Sequence, residues 1–233
     1  MTAHSTHLVL VPGLGCTADL FAHQIAALGK AVPISVADHT RYDTISGIAR
    51  AVLVAAPNRF ALCGLSMGGY IAFEIMRQAP ERIERLALLD TSALCDTPEQ
   101  TERRLKLIAM AQSGEFSSVC DTLWPLFVHP ARHDDAVLKQ AVFKMMHDTG
   151  PETFIRQQKA IMSRPDSRSS LGGIHCPTLV LVGNEDALTP VSTARTIADG
   201  IIGSKLDIVQ DCGHLSTMER PEAVTEALRT WIL

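Results

Sequence analysis

What this sequence has little of narrows it first. Aromatic residues make up 5% of its 233 positions and the net charge is −4, with basic and acidic side chains interspersed. It therefore lacks the dense cationic surface that nucleic-acid binding requires. No apolar run approaches the ~20 residues needed to cross a bilayer, and the polar start Met1 to His7 has no apolar signal core. Neither a membrane nor a nucleic acid is expected as partner. The six cysteines (Cys16, Cys63, Cys95, Cys120, Cys176, Cys212) form no Cys-x-x-Cys pair, and several sit in apolar runs, as reduced core cysteines do. A cytoplasmic location is the expectation. There is no His-Glu-x-x-His, no paired Cys/His ligand spacing and no Gly-x-Gly-x-x-Gly opening a helix after a strand. Neither a metal nor another cofactor is implied.

What is there is a chain 46% hydrophobic with 15 glycines and 12 prolines, the composition of one sizeable globular unit. Short apolar runs recur at His7–Val11, Pro33–Ala37, Phe60–Leu65, Arg85–Leu89, Thr178–Val182 and Leu206–Val209. Helical periodicity falls between them: Leu20, Phe21, Ile25 and Leu28, capped by Thr17 or Asp19; then Ile45, Ile48, Ala49 and Val52; then Ile71, Ala72, Ile75, Met76 and Ala79. Pro190 suits the first turn of a helix through Ile197, and Val224, Ala227, Leu228 and Trp231 mark the last helix. Strands alternating with helices and no hairpin signals predict a parallel sheet of about six strands, covered on both faces. From Leu94 to Gly172 the alternation stops. Helical patterns such as Leu105, Ile108, Ala109 and Gln112 continue without a strand, so residues 94–172 are expected to form a helical cap inserted between core segments 1–93 and 173–233. Pro151 and Pro165 are expected at the joints of that cap.

One stretch carries chemistry. Phe60-Ala-Leu-Cys-Gly-Leu-Ser-Met-Gly-Gly-Tyr70 reads as a buried strand, a serine bracketed by Gly64 and Gly68, and the start of a helix. A strand turning at once into a helix strains the serine backbone, and side chains two residues away would collide, so glycines stand there and the hydroxyl is held out at the sheet's edge. Ser66 is the candidate nucleophile.

At these residues the chain resembles the α/β-hydrolase superfamily, and the resemblance extends from His7 to Leu233. It looks closest to small cytoplasmic carboxylesterases, including the biotin-pathway esterase, and to enol-lactonases. The resemblance implies an α/β-hydrolase fold lacking the first two strands of the full version. It also implies a triad in the chain order Ser66, Asp186, His214, each just after a predicted strand. Ser66 would attack, His214 would take its proton, and Asp186 would hold the imidazole's tautomer. Asp90, which also follows a strand, is the rival acid, whereas Asp211 lies too near His214 in sequence. The family's oxyanion hole carries over to the backbone N–H groups of Leu14, in the Pro12-Gly13-Leu14-Gly15 loop, and Met67. Pro12 stands where the family commonly has histidine, which puts the bracing of that loop in question. The remaining candidates among the histidines, His4, His7, His129, His133 and His147, are expected at the surface.

The function expected from these residues is hydrolysis of small or medium carboxylic esters through an acyl-enzyme. The same triad serves lactonases and carbon–carbon bond hydrolases, and a ligand-binding receptor with little turnover is the alternative of another class. Basic and acidic residues balance across the cap, so a highly charged substrate is disfavoured.

Overall fold

Leu8–Val11 is buried at every position, because hydrophobic residues on both faces of a parallel strand must be covered from both sides. It is the first strand, β1, in a computed structural model that describes residues 6–233; His4 lies outside them. The other strands are β2 (Ile34–Val36), β3 (Phe60–Leu65), β4 (Ile83–Leu89), β5 (Thr178–Gly183) and β6 (Lys205–Val209). They form one six-stranded sheet in the order β2-β1-β3-β4-β5-β6, with every pairing parallel. All six follow the predicted apolar runs.

Alternate residues of each strand face opposite layers. Leu8, Leu10, Cys63, Leu65 and Leu89 pack with α1 (Ala22–Leu28) and α10 (Pro221–Ile232) on one face. Val9, Val11, Leu62 and Leu88 pack with α2 (Ile45–Ala55), α3 (Met67–Gln78) and α8 (Val191–Gly200) on the other. Six parallel strands covered by helices on both faces agree with the architecture that the resemblance implies. Thr17 caps the short 3-10 turn Ala18–Phe21 that leads into α1, its side chain accepting from the Asp19 N–H.

Between β4 and β5 the chain forms α4 (Pro98–Gln112), α5 (Phe116–Phe127), α6 (Ala136–Thr149) and α7 (Pro151–Met162), with no strand among them. The buried face of α4 is not the predicted one: Leu107, Ile108 and Ala111 are covered, while Leu105 is exposed. Packing of α4 against α5 and α7 selects that face, which periodicity alone misplaces by a fraction of a turn. Pro151 opens α7 directly after α6, so it links two helices of this segment; Pro165 does lie on the return toward β5. A short helix, α9 (Ser216–Glu219), follows β6. No helix among the described residues is long and apolar enough to cross a membrane.

Candidate active site

The parallel sheet brings the loops that follow β1, β3, β5 and β6 to one edge, where an open α/β sheet holds its ligands. Ser66 stands between β3 and α3 with φ 56° and ψ −115°, a backbone conformation costly for a residue with a Cβ. The turn closes only because its neighbours lack side chains. A Cβ on Gly64 would run into the Gly68 carbonyl, and one on Gly68 into the Val11 carbonyl. Ser66 is consequently held by contacts around it rather than by its own preference.

His214, in the loop between β6 and α9, places Nε2 2.8 Å from Ser66 Oγ and Nδ1 2.8 Å from Asp186 Oδ2. The Asp186 carboxylate accepts three further hydrogen bonds, from the Leu188 N–H at 2.8 Å, the Thr189 N–H at 2.9 Å and the Thr189 hydroxyl at 2.7 Å. Burial pushes the Asp186 carboxyl up, but His214 and the Thr189 donors outweigh it and hold the acid below its ordinary range. Burial alone would push the imidazole of His214 down. The Asp186 carboxylate beside it, with smaller help from Asp90 and Glu219, instead keeps it above its ordinary value. A positive charge on this imidazole is thereby stabilised.

Asp90 lies in the same buried region but does not reach the imidazole. Its Oδ1 accepts from the Gly183 N–H at 2.9 Å and its Oδ2 from the Ser216 hydroxyl, so it ties β4 to β5 and to α9. Burial first, then the charge of Asp186, raises its pKa well above the carboxylate range. Asp211 is on an exposed turn, paired with Arg220. Among the other histidines, His147 is exposed as expected, while His7, His129 and His133 are half-buried.

The Leu14 and Met67 amides donate to no protein acceptor among the described residues, while the peptides on either side of Leu14 are held. The Gly15 N–H donates to Gln157 Oε1 of α7 at 2.9 Å. The Gly13 carbonyl lies 3.0 Å from Nε2 of His39, a buried residue after β2. Since a carbonyl only accepts, that histidine carries its proton on Nε2, and burial pushes its pKa down, keeping the ring neutral. The loop that lacks a histidine at position 12 is braced by a histidine and a glutamine from elsewhere in the chain. Neither His39 nor Gln157 carries a local sequence signal for this role.

Phe127, at the end of α5, holds His214 from behind. Its carbonyl accepts from the His214 and Leu215 N–H groups at 3.1 and 3.0 Å, and its ring stacks beside the imidazole at 6.3 Å between centroids. Glu219 accepts from the Gly213 N–H at 3.0 Å and the His129 N–H at 2.7 Å, joining the histidine loop to the segment after α5. Helices from the region between β4 and β5 therefore complete the surroundings of the site.

Ser66 and His214 open into a cavity of about 280 Å³. Its walls include Leu107, Leu123 and Ile161, and also Arg103, Arg104 and Arg164. The charges of residues 94–172 balance in number, but folding brings three arginines to the cavity and places no carboxylate among the residues lining it.

Comparison with known proteins agrees with this architecture. A family model described as "Alpha/beta hydrolase family" matches residues 8–227. The pimeloyl-[acyl-carrier protein] methyl ester esterase of Pectobacterium carotovorum is 26% identical, over 96% of this chain and 93% of that protein. The 3-oxoadipate enol-lactonase 2 of Acinetobacter baylyi is 25% identical, over 71% of this chain and 61% of its own. Among solved structures, a thermophilic esterase from Thermogutta terrifontis with malate bound superposes with a TM-score of 0.89 at 27% identity, covering 97% of this chain and 89% of that one.

Proposed function

The chain belongs to the alpha/beta hydrolase family, and from that premise we propose that it is a serine carboxylesterase whose catalytic triad is Ser66, His214 and Asp186. The observation that carries this reading is the unbroken relay from Ser66 Oγ through both ring nitrogens of His214 to Asp186, each step 2.8 Å. A serine hydroxyl is almost wholly protonated at neutral pH, so it needs a base within hydrogen-bond reach. His214 has that reach.

In the proposed cycle Ser66 Oγ attacks the ester carbonyl as its proton passes to His214 Nε2. The tetrahedral oxyanion is received by the Leu14 and Met67 N–H groups, each worth a few kcal/mol of barrier. Collapse expels the alcohol, protonated by His214, and leaves an acyl-Ser66. Water then attacks the acyl carbon while His214 takes its proton, and a second collapse restores the serine and releases the acid. Residues 94–172 serve as the cap that bounds the acyl site, and the cavity volume suits a small acyl group. A cytoplasmic setting belongs to the same proposal and is consistent with six free cysteines.

The similarity to an enol-lactonase favours one second reading, in which the leaving oxygen stays tethered to the acyl chain. The test is hydrolysis of p-nitrophenyl esters of graded acyl length, and of simple lactones, by the wild type and Ser66→Ala, with circular dichroism confirming the fold of both. Ester turnover lost only in the variant supports the proposal. Activity confined to lactones selects the second reading, and ester activity retained in Ser66→Ala refutes the nucleophile.

A further inference from the structure

The arginines around the cavity are not equivalent, and sorting their donors separates those that hold the fold from those left over. Arg164 is fully engaged: it pairs with Asp96 at 2.8 Å, donates to the Leu94 and Ile161 carbonyls at 3.0 Å each, and lies over the Tyr70 ring at 4.2 Å. Arg104 is engaged at all three nitrogens as well: it grips the same Asp96 through Nε at 2.7 Å and Nη2 at 3.3 Å and donates from Nη1 to Gln158 Oε1 at 2.9 Å. One buried carboxylate thus serves two guanidinium groups. Arg103 is exposed, lines the cavity and has no ion-pair partner among the described residues.

Gln158 supplies an independent observation. It is fully buried, lines the cavity, and its oxygen is committed to Arg104, which can only donate, so the amide's orientation is determined. Its Nε2 is left with no acceptor. A buried amide nitrogen without a partner is destabilising, and such a group beside a ligand cavity is a donor waiting for an acceptor. With Arg103 unpaired and a single carboxylate, Asp96, shared by Arg104 and Arg164, the surroundings carry net positive charge and the acceptor the cavity favours is an anion.

We infer that Arg103 and the unpaired Nε2 of Gln158, whose amide Arg104 orients, form a subsite for a carboxylate at the far end of the acyl group, so that the preferred substrates are monoesters or lactones bearing a free carboxylate. The inference rests on the hydrolase reading for the word substrate, though the subsite can be tested without turnover. Planar guanidinium and amide donors match the two oxygens of a carboxylate, and the cavity volume restricts the span to a short chain. The reaction itself is unchanged: the acyl C–O bond breaks, water adds, and the distal carboxylate is only held.

The experiment is calorimetric titration of the Ser66→Ala protein with monomethyl glutarate, with methyl pentanoate as the uncharged counterpart, and with inorganic phosphate, alongside kcat/KM of the wild type on both esters. The expected result is at least about tenfold tighter binding of the charged ester, shrinking with added salt as a charge-assisted contact should. Arg103→Gln, at an exposed and unpaired position and checked for an unaltered melting temperature, is expected to remove most of that preference, and in turnover to raise KM for the charged ester more than it lowers kcat. Equal binding of the two esters, an undiminished preference in Arg103→Gln, or phosphate binding more tightly than the glutarate monoester would each overturn the carboxylate subsite. If the charged ester is preferred in binding but the wild type hydrolyses neither, the subsite stands and the hydrolase reading fails.

Discussion

His39 Nε2 lies 3.0 Å from the Gly13 carbonyl oxygen, the other end of the peptide group whose N–H is the Leu14 amide proposed for the oxyanion hole. The contact crosses from the loop after β2 to the loop after β1, and it fixes the plane of the peptide that orients that amide. Removing it leaves the Gly13 carbonyl held only by the Cys16 N–H at 3.2 Å, so the peptide is less firmly oriented. For His39→Ala the expected outcome is a fall in kcat of about tenfold or more, less than the 10²–10³ lost when a donor is deleted outright, with KM for a neutral ester changed little. His39→Gln, able to donate from a similar position, should recover part of the loss. Steady-state kinetics with a p-nitrophenyl ester checks both, and an equal fall in kcat for the two variants would argue against a hydrogen-bonding role.

The strained serine gives a stability prediction. Ser66 sits at φ 56°, where a residue with a Cβ costs about 1–3 kcal/mol and glycine costs little. Ser66→Gly and Ser66→Ala should both lose turnover, yet Ser66→Gly should be the more stable of the two by about 1 kcal/mol, after allowing for glycine's greater chain entropy. Chemical denaturation of the two variants side by side measures the difference.

Activity should rise with pH through a limb that reports His214. The base must be neutral to accept the serine proton, so protonation on the acid side removes activity. Asp186 holds that pKa above the ordinary imidazole value, and the midpoint of kcat/KM against pH is therefore expected above about 6.5. Asp186→Asn should lower the midpoint, because its charge and hydrogen bond supply the main upward influences, and should cost about 10³–10⁴ in kcat. Asp90→Asn, which does not touch the imidazole, should cost far less. Equal losses from the two asparagine variants would reassign the acid.

Asp90 leads to the opposite expectation for stability. Its carboxyl is buried without a cation and has its folded-state pKa raised well above 3.8. Such a group binds its proton more tightly in the folded state, so its contribution is fully present below the unfolded pKa and is lost as pH rises through the folded value. Asparagine keeps a carbonyl for the Gly183 N–H and carries no charge. The melting temperature of Asp90→Asn, relative to wild type, should increase from pH 5 to pH 8, which differential scanning calorimetry would register; a constant or shrinking difference would contradict the buried-charge account.

Much of the architecture was legible because it depends on short-range patterns. Each of the six strands follows an apolar run, and Ile45, Ile48, Ala49 and Val52 are all buried on α2 as their spacing predicted. The Ser66 turn was equally plain, since Gly64 and Gly68 answer to steric demands within five residues of chain. Where tertiary packing chose between adjacent faces, as on α4, local periodicity named Leu105 and packing buried Leu107.

By itself, the sequence determined the alternating strands and helices, the parallel sheet and the positions of Ser66, Asp186 and His214 after three of its strands. These follow from side-chain alternation, glycine sterics and chain order, which neighbouring residues carry in full. Only the tertiary structure decided that Asp186 rather than Asp90 meets the His214 imidazole, that His39 and Gln157 brace the loop after β1, and that Arg103, Arg104 and Arg164 share one cavity. The physical reason is that a hydrogen bond or a local potential depends on distances across the fold. Residues 94–172 have opposite charges that cancel in a count, while folding directs three of the positive ones toward the cavity that opens on Ser66.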